Sequence, residues 1–125
     1  MTDIEIVLGG VSLIVRPRDT ETARLIAEAA PFSGRVQTWG DEVYFETPVD
    51  AEAEPDARDV MGLGEVAFWM AGSCIAIGFG RTPVSRGDEI RLASAVNIWG
   101  DAKIDPDVMR QIAPGSPAQV RLAEN

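Results

Sequence analysis

The sequence has no histidine, one cysteine, one lysine and one tyrosine. Without imidazole there is no Ser-His-Asp triad, no Cys-His pair, no His-bound zinc and no side chain that titrates near neutrality unaided. Acid–base chemistry would therefore fall to a perturbed carboxylate, Arg, Lys or Tyr. A lone Cys74 leaves neither an intramolecular disulfide nor a multi-thiolate metal site. Set in Cys74-Ile75-Ala76-Ile77, it reads as a small buried hydrophobe. Positive charge is scarce as well. Against 20 Asp and Glu stand 11 Lys and Arg, a net charge of −9, which disfavours both a phosphate backbone and an anionic lipid surface. No run approaches the ~20 apolar residues of a membrane span. The opening Met1-Thr2-Asp3-Ile4-Glu5 has neither the basic nor the apolar segment of a secretory leader. The expectation is a cytoplasmic protein with no nucleic-acid and no membrane partner.

What is present is enough apolar material for one domain over residues 1–125. With 46% hydrophobic residues, a chain of this length can bury a core without staples. Ile4, Ile6 and Leu8 alternate, as do Val11, Leu13 and Val15, and Gly9-Gly10 lies between them, the pattern of a hairpin. Asp19 is placed to cap a helix with Thr22, Leu25, Ile26 and Ala29 on its inner stripe, closed by Pro31. Strand propensity recurs at Val43-Tyr44-Phe45, around residues 66–69 and 74–79, and over a long alternating run at 90–98. Asp105-Pro106-Asp107 begins a second short helix, stopped by Pro114-Gly115. Val120 and Leu122 make a last strand. Many short strands with two helices indicate a mostly-β fold that closes into a barrel or sandwich.

The familiar catalytic signatures are missing. No Gly-x-Ser-x-Gly elbow occurs, and Gly78 and Gly80 are not followed by Gly-Lys-Ser/Thr. Residues 50–59 hold five acids without EF-hand spacing, which reads as a solvated loop. No motif calls for a cofactor or a metal.

Four runs in order carry a resemblance. They are Thr38-Trp39-Gly40-Asp41-Glu42-Val43-Tyr44-Phe45-Glu46-Thr47-Pro48-Val49, Gly64-Glu65-Val66-Ala67-Phe68-Trp69, Phe79-Gly80-Arg81-Thr82-Pro83-Val84-Ser85 and Ala93-Ser94-Ala95-Val96-Asn97-Ile98-Trp99-Gly100. Together they resemble a small prokaryotic family of cyclophilin-like proteins of uncharacterised function. The resemblance implies a closed antiparallel β-barrel of about eight strands with two short capping helices. True peptidyl-prolyl isomerases carry a Phe-x-Arg motif, a Gln-Gly-Gly and a His around the proline pocket. This chain has Tyr44-Phe45-Glu46-Thr47 in the corresponding region and none of those elements. Lowering the ~20 kcal/mol amide barrier takes a donor or cation near the prolyl nitrogen, and a carboxylate at Glu46 has the wrong sign. Arg81 is the candidate substitute, or else a turn residue.

All three tryptophans lie beside turns, where barrel clefts are walled. Each could equally plug a barrel end, the favoured reading for Trp99. The candidate ligand-binding set is Thr38, Trp39, Tyr44, Phe45, Glu46, Phe68, Trp69, Arg81, Ser94 and Asn97. Ser94 and Asn97 could present polar groups to a ligand or satisfy backbone groups at a bulge. Glu42, Tyr44 and Glu46 share one strand face. That makes Glu42 and Glu46 a carboxylate pair for acid–base work or an outward polar face. The expected function is binding of a small molecule or peptide in an aromatic cleft, with little or no isomerase activity; the alternative is an isomerase with an altered catalytic set. Unpaired strand edges leave a homo-oligomer open.

Overall fold

A computed structural model describes residues 2–123. The N-terminal alternation becomes β1 (Ile4–Leu8) and β2 (Val11–Pro17), paired antiparallel with Leu8 opposite Val11. Next comes α1 (Glu21–Ala29). Its cap is Thr20, not the expected Asp19: the Thr20 hydroxyl accepts from the Ala23 N–H at 3.1 Å. Asp19 lies one residue too early for that bond and pairs instead with Arg24 at 2.8 Å. Thr22, Ala23 and Ile26 are buried, with Leu25 and Ala29 packed partly against the core.

Hydropathy does not reveal three of the strands, Arg58–Met61 and the two that follow here, β3 (Phe32–Arg35) and β4 (Gln37–Thr38). After them come β5 (Glu42–Glu46), β6 (Arg58–Met61), β7 (Glu65–Trp69), β8 (Cys74–Gly78), the twelve-residue β9 (Ile90–Asp101), the single-turn α2 (Pro106–Met109) and β10 (Pro117–Leu122). Asp105 caps α2 by accepting from the Asp107 N–H at 3.0 Å.

The antiparallel sheet runs β3-β10-β1-β2-β9-β7-β8-β5-β4, with β6 added on β9. Its two ends, β3 and β4, are separated along the chain only by Val36, so the path returns on itself as a nearly closed barrel. Alternation then sorts side chains between two apolar clusters. Inside the barrel lie Ile4, Ile6, Leu8, Val15, Val43, Phe45, Val66, Phe68, Ile75, Ile77 and Trp99. The α1 and α2 residues Ile26 and Met109 belong to the same core. On the opposite face of β5-β8-β7-β9 a smaller cluster forms from Met61, Ala67, Ala76, Ile90, Leu92, Val96 and Ile98, with Tyr44 and Trp69 against it.

The acidic 50–59 segment is not the freely solvated loop its composition suggests. Asn97 is fully buried and grips it: Oδ1 accepts from the Glu54 N–H at 2.9 Å, while Nδ2 donates to the Glu52 carbonyl at 2.9 Å and to Thr22 Oγ1 at 3.0 Å. The Glu54 carboxylate in turn accepts from the N–H and hydroxyl of Thr22 in the first turn of α1, where the helix dipole favours an anion. Removing Asn97 leaves buried partners without their bonds. Asn97→Ala is therefore expected to lower unfolding stability by about 2 kcal/mol, measured by urea denaturation; a loss within error of zero would show that the segment anchors itself in another way.

Among the described residues, no helix is long and apolar enough to cross a membrane.

Candidate functional site

The β4–β5 connection sets the first wall. The Trp39 N–H donates to the Glu42 carbonyl at 3.0 Å, tightening the turn Trp39-Gly40-Asp41. This turn is held against the loop after β8, because the Asp41 N–H reaches the Arg81 carbonyl and the Phe79 N–H reaches the Asp41 carbonyl, both at 2.8 Å. Gly40 has φ +60°, and a β-carbon there would lie 2.9 Å from the Arg81 carbonyl oxygen. Glycine is thus what lets the two segments touch.

The second wall comes from β9. Arg58 of β6 pairs with Val96, but Val60 pairs with Arg91, so residues 92–95 bow out of register. A bulge of this kind redirects side chains. Here it turns Leu92 and Ala93 toward the turn at Trp39. The β9 residues Ile90 and Leu92 lie directly over Gly78 of β8, where a β-carbon would overlap Ile90 Cγ2. Gly78 is the register partner of Glu42, so this close approach also roofs Glu42.

Between these walls lies a cavity of about 290 Å³ lined by Trp39, Glu42, Tyr44, Trp69, Leu92 and Ala93. Tyr44 and Trp69 meet edge to face, with ring centroids 6.5 Å apart and planes at 80°, a favourable quadrupolar arrangement. Their polar ends are engaged at the rim. Trp69 Nε1 donates to Ser94 Oγ at 2.6 Å, and the Tyr44 hydroxyl donates to Gln37 Oε1 at 3.3 Å.

Glu42 is the unusual member. It is 7% exposed, and its carboxyl group has no hydrogen-bond or ion-pair partner among the described residues. No described polar side-chain atom is both sealed from solvent and unpaired, so its oxygens must still meet the open volume of the cleft. Burial, with no compensating bond, raises its pKa from 4.5 to about 7. Burial also lifts the Cys74 thiol to about 11, with Glu46 and Glu42 adding to the effect. Cys74 thus remains an un-ionised thiol, not a nucleophile.

The structure brings together only part of the expected set. Trp39, Tyr44 and Trp69 share the cavity, and Ser94 sits at its edge through Trp69. Phe45 and Phe68 do not line it. Each alternates to the barrel side of its strand and is sealed in the main core. Asn97 is buried and fully used in holding the acidic segment. Thr38 faces a separate depression beside Met109 and Arg110. Glu46 is exposed near Phe32 and Arg35, so the Glu42–Glu46 pair, although on one strand face, is divided between two depressions. Arg81 is exposed on its loop and is not part of the cavity lining. In the sequence Glu42 stands out only as half of that pair. Its strand face was readable, but the roof that buries it comes from a bulge 50 residues later in sequence. Leu92 and Ala93 carried no signal of their own. Trp99 is sealed at 0% exposure with Nε1 donating to the Ala67 carbonyl at 3.1 Å, a core plug.

The model of the family described as cyclophilin-like matches residues 2–121. This chain belongs to the cyclophilin-like family. The solution structure of a hypothetical protein from Archaeoglobus fulgidus is similar to it, at 35% identity and a TM-score of 0.83, covering 98% of this chain and 95% of that one. No curated protein matches it. In this chain the cleft holds a carboxyl group, that of Glu42, and the Arg81 guanidinium lies outside its lining.

Proposed function

We propose that this cyclophilin-like chain is a binding domain for a small molecule, held in the cavity between Trp39 and Trp69, and that it has little or no prolyl isomerase activity. The observation that carries this reading is the concave, aromatic-walled cavity with one convergent polar group, Glu42, the usual make-up of a ligand site. A volume of about 290 Å³ is at the low end for such sites, which favours a compact ligand over an extended peptide. The lining contains no Arg or Lys. Isomerisation would need a positive or donating group at the prolyl nitrogen, whereas an ionised Glu42 would oppose charge development there.

Two measurements test the proposal. A protease-coupled assay on an Ala-Pro peptide should give a rate equal to the uncatalysed one at micromolar protein; a clear acceleration abolished by Arg81→Ala would replace this reading with that of an isomerase using Arg81. A small-molecule screen followed by Trp fluorescence and thermal shift should yield ligands whose effect is lost in Trp39→Ala. Hits unaffected by that substitution would move the site elsewhere.

A further inference from the structure

Resting on the reading of the Trp39–Trp69 cavity as a ligand site, we infer that its ligand is a small organic cation, an alkylammonium compound whose positive head sits among Trp39, Tyr44 and Trp69 and faces the Glu42 carboxylate. Three observations lead there. First, Tyr44 and Trp69 stand at 80° to one another, and their hydroxyl and N–H groups are occupied by Gln37 and Ser94. What they offer the cavity is ring surface, which attracts cations through its quadrupole and selects alkylammonium heads over well-hydrated metal ions.

Second, Glu42 is more than nine-tenths buried, lines the cavity and has no partner among the described residues. A buried carboxylate left unpaired is costly. A bound cation supplies the missing counter-charge, whereas an anionic ligand would meet both Glu42 and the negative field of a chain of net charge −9.

Third, among the described residues no cation is paired with Glu42. On β5 its titratable neighbours are Tyr44 and Glu46, on β8 the titratable group is Cys74, in register with Glu46, and on the loop after β8, which packs against the Trp39–Asp41 turn, Arg81 is exposed and outside the cavity lining. In the preceding turn Asp41 is paired with Arg110 at 3.0 Å. The cation of early β9, Arg91, turns to Asp59 and Glu89. The raised pKa of Glu42 then makes cation binding compete with a proton, so the ligand should be held more tightly as pH rises through about 7.

The test uses choline and its neutral isostere 3,3-dimethyl-1-butanol as probes, read by Trp fluorescence and by the indole N–H resonances of Trp39 and Trp69. At pH 8 choline should bind at least about tenfold more tightly than the alcohol. Its affinity should fall about tenfold between pH 8 and pH 6 as Glu42 protonates. Glu42→Gln should weaken choline binding at pH 8 about tenfold, leaving only the smaller preference that the rings confer, and should abolish the pH dependence while the protein stays folded, as judged by its circular dichroism. Equal affinity for the two probes, or a choline affinity and pH dependence unchanged by Glu42→Gln, overturns the cation inference and leaves the cavity standing as a ligand site. Silence toward both probes, with a neutral or anionic hit from the screen that depends on Trp39, overturns the cation inference alone. Silence across the whole screen overturns the ligand site with it.

Discussion

Glu42→Gln is expected to leave folding stability unchanged near pH 4 and to raise it by about 3 kcal/mol at pH 8, a Tm increase on the order of 10 °C. Below the ordinary 4.5 of a glutamate, Glu42 is protonated in both the folded and unfolded chains and carries no penalty. As pH rises from 4.5 toward about 7, the unfolded chain releases its proton while the folded one retains it. Stability therefore falls across that window, and above it the penalty is constant. Gln has no proton to lose, so the variant's stability does not change there on account of residue 42. Glu65 does not confuse the reading. Its hydrogen bond from Arg58, with the Gly62 N–H and Arg18, lowers its pKa to about 2, so its contribution is lost as pH falls from 4.5 toward 2, outside the Glu42 window. The check is urea denaturation of both proteins at several pH values from 4 to 8. Parallel profiles would mean that Glu42 is solvated in the folded state, and the cavity would lose its one strained polar group. A residue that weakens the fold at working pH makes sense where a ligand relieves the strain.

The second large effect concerns Trp99. Trp99→Ala should lower stability by about 3–5 kcal/mol, because the indole is fully sealed and the Ala67 carbonyl loses its donor. That is a large share of the ~5–15 kcal/mol typical of a domain. Trp99→Phe keeps much of the volume and loses only the N–H, so its cost should be nearer 1–2 kcal/mol. Trp39→Ala, at a half-buried cleft position, should cost clearly less than Trp99→Ala. The three values can be read by urea denaturation followed in the far ultraviolet. If Trp39→Ala cost as much as Trp99→Ala, the division between cleft wall and core plug would be wrong.

That division shows how far residues can be read without coordinates. Trp39, Tyr44 and Trp69 were identifiable as cleft candidates because aromatic area beside turns is informative, and the Glu42/Tyr44 face follows from strand period alone. Phe45 and Phe68 belong to the core and not to the cleft, which the pattern alone does not tell. Period two says that Phe45 faces away from Tyr44, but not which side is the barrel interior. Asn97 reads in sequence either as a ligand-facing polar group or as one satisfying backbone groups, and it does the latter, but its partners, Thr22, Glu52 and Glu54, lie more than 40 positions away and leave no local trace. The acidic segment misled in the same way: composition argues for solvation, and a single buried amide holds it down.

Local chemistry was sufficient for the hairpin at Gly9-Gly10, the capped turn at Asp105-Pro106, the long run of β9, and the family, since each rests on neighbouring residues whose periods and turn preferences are set within a few positions. The site required the closed barrel. Glu42 becomes a buried, unpaired carboxyl group only when Ile90 and Leu92 pass over Gly78 and residues 92–95 leave register with β6. Burial, and with it the charge state of a carboxyl group, is a property of what distant segments place around a residue.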